Sequence, residues 1–272
     1  MNSRERVLCA ISHEQPDRTP TDLQAVNEIW DKLRKHFNTT NDEKILTALE
    51  IDCRWLHPRY TGPAAKTFSD GTFEGWGGSL IRKVYNCYGA YDDIVKYALD
   101  EAETAADIER LLEAGGGRID ALQIADDFCT QQNPLMSTEM FKTYFKGHLK
   151  QFSDMVKSYR ATTFLHCCGS AYKLIGEFID VGVEILDPIQ TTAANMAPNT
   201  LKKEFGDKLT FHGAAETQFI LPFGTTEDVR KNAKELVQIL GKNGGFILSS
   251  CHYLQADVPI ENILALYEVA NR

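Results

Sequence analysis

The chain has 272 residues, 43% of them hydrophobic and 25% charged, a balance that excludes disordered and fibrous proteins and leaves enough apolar residues for a sizeable core. Its 29 basic and 38 acidic residues give a formal net charge of -9, which argues against nucleic acid and against an anionic membrane surface as partners. No apolar run approaches the roughly 20 residues of a membrane span, and the opening Met1-Asn2-Ser3-Arg4-Glu5-Arg6 lacks the apolar centre of a signal peptide; a cytoplasmic enzyme acting on a small molecule is expected.

Up to about Gly117 the pattern is irregular. A short amphipathic helix is predicted from Ser3 to His13, a turn at Gln15-Pro16-Asp17-Arg18, and helices from Ala25 to Phe37 and from Asp42 to Leu49. The stretch from Trp55 to Tyr97 is rich in aromatic residues and broken by Gly62-Pro63, Asp70-Gly71 and Gly75-Trp76-Gly77-Gly78, so it reads as turns and short strands. A helix from Asp107 to Ala114 then runs straight into Gly115-Gly116-Gly117.

From Arg118 onward short apolar runs alternate with amphipathic helical patterns, the signature of βα units around a parallel sheet. Five strands are predicted, at Ile119–Ala125, Thr162–Cys168, Glu184–Ile189, Leu209–Gly213 and Gly245–Ser249. Their helices are expected to begin near Ser137, Ala171, Pro198, Thr225 and Pro259. Arg18 to Leu23 supplies a sixth, N-terminal strand. A closed eight-stranded barrel would need two more βα units, of roughly 30 residues each, and the chain leaves no room for them. The expected architecture is one domain over residues 1–272, an incomplete (β/α)8-type barrel with an irregular section at 1–117 and five regular βα units at 118–272.

Polar residues gather just after each predicted strand, where parallel α/β folds carry their active sites. Strand side chains alternate, so in Leu165-His166-Cys167-Cys168-Gly169 the residues His166 and Cys168 share one face and Cys167 takes the other. An imidazole and a thiolate on one strand end can serve a single metal ion, and three His/Cys donors with an open fourth position make a catalytic zinc. Cys251 and His252 end the last strand, and alternation alone leaves open which of them turns inward. His212 and Glu216 fall on one face of the fourth strand and, with Asp126, are candidates for catalysis; a buried histidine and a loop-capping carboxylate are the structural alternatives. Asp127, Asp187, Gln190 and Gln218 are candidates for holding substrate. The seven cysteines, an odd number in a chain of this size, are expected to be reduced thiols.

Several segments, taken together, resemble the uroporphyrinogen decarboxylase superfamily. They are Ser3-Arg4-Glu5-Arg6-Val7, then His13-Glu14-Gln15-Pro16-Asp17-Arg18-Thr19-Pro20, Leu165-His166-Cys167-Cys168-Gly169-Ser170, Gly182 through Gln190, Phe211-His212-Gly213 through Thr225, Gly244 through Leu248, and Asp257-Val258-Pro259-Ile260-Glu261-Asn262-Ile263. The resemblance implies a (β/α)8 barrel and two chemistries. Decarboxylases remove acetate carboxyls from a tetrapyrrole without a cofactor, whereas corrinoid-linked methyltransferases use zinc held by a His-x-Cys pair and a distant Cys. His166 and Cys168 match that pair; the distant position falls on His252, with Cys251 one residue earlier, so the third ligand stays open between them.

The arginine-rich segment that grips substrate carboxylates in the decarboxylases is absent after Pro20, where the chain reads Thr21-Asp22-Leu23-Gln24-Ala25-Val26. A polycarboxylate needs such clamps. The resemblance therefore points to a zinc-dependent methyltransferase acting between a small methylated compound and a corrinoid protein or thiol acceptor. A carboxy-lyase and a non-enzymatic, corrinoid-binding relative are the alternatives. The gap between Ala114 and Gly115, on the order of two βα units, leaves a sheet edge that must be covered, paired with a second copy of the chain as a homodimer, or tolerated in a damaged fold.

Overall fold

A computed structural model describes residues 1–56, 66–74, 80–86, 89–96, 112–113 and 115–270. The chain forms two compact units, one made of Met1–Arg54 with Gly115–Arg272 and the other of Trp55–Ala114. The smaller unit contains an antiparallel sheet of three strands, β1 (Thr72–Glu74), β2 (Leu80–Asn86) and β3 (Gly89–Lys96), in that order. Short strands were expected here. Of the helix expected from Asp107 to Ala114, only Leu112 and Glu113 are described, both helical.

The larger unit begins with α1 (Ser3–Ile11), whose N-terminus is closed by a reciprocal pair: the Asn2 side chain accepts from the Glu5 N–H, and the Glu5 carboxylate accepts from the Asn2 N–H. Helices α2 (Asn27–His36) and α3 (Asp42–Ala48) follow. The sheet consists of β4 (Ala121–Ala125), β5 (Thr162–His166), β6 (Ile185–Asp187), β7 (Thr210–Ala215) and β8 (Phe246–Ser250), all parallel and adjacent in sequence order. Each predicted strand is present: β4, β5 and β6 are shorter than expected by two or three residues, and β7 and β8 start one residue later and run on to Ala215 and Ser250. The helices between and after them are α4 (Thr138–Tyr144), α5 (Lys146–Ser158), α6 (Tyr172–Asp180), α7 (Pro198–Phe205), α8 (Ile220–Phe223), α9 (Thr226–Leu240) and α10 (Ile260–Ala270). Ser137 caps α4, Pro198 occupies the first turn of α7, and Thr225 with Asp228 forms a second reciprocal cap on α9.

Strand order separates the two parallel architectures. A doubly wound sheet reverses direction at a switch point, whereas strands that add always on the same side generate an arc of a barrel. The order β4-β5-β6-β7-β8 has no reversal. The arc extends past β8, because Thr21 bridges Leu248 in parallel and the Asp22 N–H donates to the Leu248 carbonyl at 2.9 Å. Instead of the full predicted strand from Arg18 to Leu23, this segment makes single bridges at Thr21 and Ala25. Beyond it the Asp52 and Cys53 N–H groups both donate to the Thr21 carbonyl. Among the described residues no strand closes the sheet between Cys53 and Ala121, so over those residues the arc stays open.

Strands β5 to β8 are buried on both faces except at His166, β7 and β8 over their full lengths, as expected where helices cover a parallel sheet, whereas the edge strand β4 is half-buried and exposed at Ala125. Side chains such as Leu165, Phe211, Phe246 and Leu248 on the strands meet Ile29, Phe178, Leu236 and Leu266 from the helices in one apolar cluster. The N-terminal edge is fastened by charge. Arg6 donates to Asp17 and, at 2.7 Å, to Asp52, while Arg18 donates to the other Asp52 oxygen at 2.7 Å; the Thr21 N–H adds a further bond to it. Asp52 is thus a buried carboxylate facing two guanidinium groups. Asp52→Ala is expected to lower the unfolding free energy by about 3–5 kcal/mol, the usual cost of stripping one partner from a buried ion pair; urea denaturation would measure it.

Candidate metal centre

The carboxyl end of β5 brings the predicted pair together. The His166 Nε2 lies 3.4 Å from the Cys168 Sγ, and both side chains sit on one face of the strand end. Cys167, between them, is fully buried on the other side, its Sγ 3.9 Å from the Cys129 Sγ. Two contacts hold the turn after β5 in place. The Cys168 N–H donates to Asp127 Oδ1 at 2.8 Å, and Gly169, at φ +97°, lies against the Thr130 carbonyl.

His252 completes a group of three. One donor atom from each of His166, Cys168 and His252 lies within 4.8 Å of the others, and the His166 and His252 rings meet edge to face at 5.6 Å. The chain bends after Ser250, so the side chain that reaches His166 is His252. Cys251 is 6% exposed, its N–H bonded to the Ala215 carbonyl, and burial, then the neighbouring Cys168, pushes its thiol up. Protein around His252, then the charge of His166, pushes its imidazole down, which favours the neutral form that ligates metal. The six described cysteines are all free thiols.

Beneath the donors lies a chain of buried hydrogen bonds. The His166 Nδ1 donates to Asp187 Oδ2 at 2.5 Å, and the His212 Nδ1 to Asp187 Oδ1 at 2.6 Å. The His212 Nε2 donates to Asp22 Oδ2 at 3.1 Å. Burial opposes the charge on each group, but the partners outweigh it. His166 is pushed up to about 10 by Asp187 and Cys168, His212 up to about 9 by Asp187 and Asp22, and Asp187 down to about 2 by the two histidines.

The other candidates divide by what occupies them. Asp126 is exposed beside the site, its N–H on the His166 carbonyl; protein around it, then the Asp127 charge, pushes its carboxyl up. The Glu216 carboxylate accepts from the N–H groups of Gln218, Phe219 and Ile220 at 2.6–2.8 Å, so it caps the start of α8. Gln190 exchanges two side-chain hydrogen bonds with Gln131, and the Gln218 amide oxygen accepts from Thr192. Asp187, expected to hold substrate, instead bridges two imidazoles. Asp22 was not singled out by sequence. Its only signal is an acidic side chain on a segment that otherwise reads as a strand.

Strands in consecutive order, each feeding a helix, with acids, thiols and imidazoles gathered after their carboxyl ends, define a (β/α)8-type barrel whose candidate active site lies on the usual face. A family model described as uroporphyrinogen decarboxylase (URO-D) matches residues 83–272. The chain belongs to that family. In structure it is similar to a methyltransferase from Methanosarcina mazei, with a TM-score of 0.65 and 15% sequence identity over 100% of this chain and 98% of that chain; at that identity the likeness is one of fold. Comparison with curated proteins finds no match to the sequence. Among the described residues no helix is long and apolar enough to cross a membrane.

Proposed function

We propose that this chain is a zinc-dependent methyltransferase of the URO-D family, moving a methyl group between a small methylated compound and a corrinoid protein or thiol acceptor. The observation that carries the reading is the group His166, Cys168 and His252 with Asp187 on the far nitrogen of His166. Zinc bonds of about 2.0–2.3 Å at tetrahedral angles hold donor atoms roughly 3.3–3.8 Å apart, and the 3.4 Å between His166 Nε2 and Cys168 Sγ falls in that range. A carboxylate on the non-ligating nitrogen is the usual companion of a metal-bound histidine. The spacing of the His166–Cys168 pair therefore fits zinc, and His252 brings a third donor within 4.8 Å.

Zinc, when bound, supplies a Lewis acid that favours the thiolate of an incoming thiol. The chain's own residues do the rest. Asp187 keeps the His166 Nδ1 protonated and its Nε2 directed at Cys168, and Asp127 holds the Cys168 backbone. Asp126, exposed near His166 and with its carboxyl pushed up, would take the proton that the acceptor gives up. Asp127, Gln190 and Gln218 border the same strand ends and offer polar contacts to a small substrate.

The carboxy-lyase reading follows from the family's description. Against it stands charge: the exposed carboxylates at the described strand ends are Asp126 and Asp127, while Arg6 and Arg18 are engaged with Asp17 and Asp52. A tetrapyrrole polycarboxylate would meet repulsion there. Protein purified without chelators is expected to hold about one zinc per chain. His252→Ala is expected to deplete it more than Cys251→Ala does. A zinc content below about a tenth of an equivalent in the unmodified protein, insensitive to substitution at His166, would sink the proposal.

A further inference from the structure

We propose that Asp22 and His212 are positioning residues for the metal centre, a buried carboxylate–imidazolium pair that locks Asp187 and through it the orientation of His166. The proposal rests on the metal reading above. Neither residue is among the donors. His212 is 1% exposed, Asp187 3% and Asp22 0%, so neither Asp22 nor His212 meets substrate or solvent.

The chemistry of the ring follows from its neighbours. Each nitrogen of His212 faces a carboxylate oxygen, at 2.6 Å and 3.1 Å. An ionised carboxylate only accepts hydrogen bonds, so both nitrogens must carry hydrogen and the ring is an imidazolium between two anions. Flipping the ring gains nothing, because either nitrogen out of place leaves a buried charge unpartnered. Asp22 is in turn held by its backbone, which donates to the Leu248 carbonyl and accepts from the Tyr267 hydroxyl at 2.8 Å.

Asp187 transmits the constraint. Its two oxygens serve different imidazoles, so its carboxylate plane cannot rotate without breaking one bond. The space around it is closed: a Cβ on Gly213, which stands at φ +87°, would come within 3.5 Å of Asp187 Oδ1, 3.4 Å of the Pro188 Cβ and 3.1 Å of the Ser250 carbonyl. The Phe164 ring lies against the His212 ring at 5.0 Å. The chain Asp22–His212–Asp187–His166 thus ties the Thr21 segment, β7, β6 and β5 together beneath the donors.

The test compares unmodified protein with Asp22→Asn, His212→Gln and the double variant. Zinc affinity is measured by chelator competition, cobalt(II) absorption reports the donor geometry, and NMR of 15N-histidine-labelled, metal-free protein reports the ring protons. Both single variants are expected to lose roughly 10–100-fold in zinc affinity and to shift the cobalt(II) spectrum. The double variant should lose no more than the larger single loss, because the two residues act through one chain of bonds. In unmodified protein two slowly exchanging ring N–H protons are expected for His212. A lowered melting temperature with zinc affinity within about twofold of normal and an unchanged cobalt(II) spectrum would mean a purely structural role and overturn the proposal. If the unmodified protein binds no zinc, the proposed function fails, and the NMR measurement still decides the buried pair: a His212 ring with a single N–H overturns it.

Discussion

His166→Ala and Cys168→Ala are each expected to abolish stoichiometric zinc binding, with affinity falling by more than the roughly 10–100-fold that follows loss of an outer partner. Each substitution removes a donor outright, and the pair 3.4 Å apart is the part of the site whose spacing already matches a metal. His166→Ala carries a second cost, because it leaves Asp187 with one imidazole in place of two. Methyl transfer is expected to disappear with the metal in both variants, while circular dichroism of the folded protein stays close to normal. Metal analysis beside an activity assay checks this. Full zinc occupancy in either variant would mean that the donors lie elsewhere.

Gly169→Ala is expected to destabilise the protein by about 3 kcal/mol or more and to weaken metal binding at the same time. The residue has φ +97°, a region that side chains avoid, and an added Cβ would lie 2.5 Å from the Thr130 carbonyl oxygen. Neither strain can relax by a side-chain rotation, since the obstacle is backbone. The chain would have to shift where Cys168 donates to Asp127 and where the Ser170 N–H meets the same Thr130 carbonyl. For a chain of this size that loss corresponds to a melting temperature lower by roughly 6–12 °C. Thermal unfolding and zinc titration of one sample would show both effects. Glycine therefore stands next to Cys168 for a reason of packing as well as of turn geometry.

The five βα units were legible because periodicity is local. Buried parallel strands such as Thr162-Thr163-Phe164-Leu165-His166 form apolar runs, and Ser137, Pro198 and Thr225 mark helix starts through hydrogen bonds made within a few residues. The pairing of His166 with Cys168 was legible for the same reason, since alternation needs only neighbours along one strand. The N-terminal Arg6, Asp17 and Arg18 were visible as part of a family-like segment. That they close around Asp52 was not, because Asp52 lies 34 residues beyond Arg18.

That His252, and not Cys251, joins His166 and Cys168 depends on the bend after β8, where strand alternation stops being a guide. Asp187 and His212 were recognised as polar residues near strand ends, but their partners come from four segments, and 190 residues separate Asp22 from His212. Local sequence specifies which residues form a strand and which side of it they share. Long-range packing of the arc decides which carboxylate meets which imidazole, and thereby which ring nitrogen of His166 is left to face Cys168.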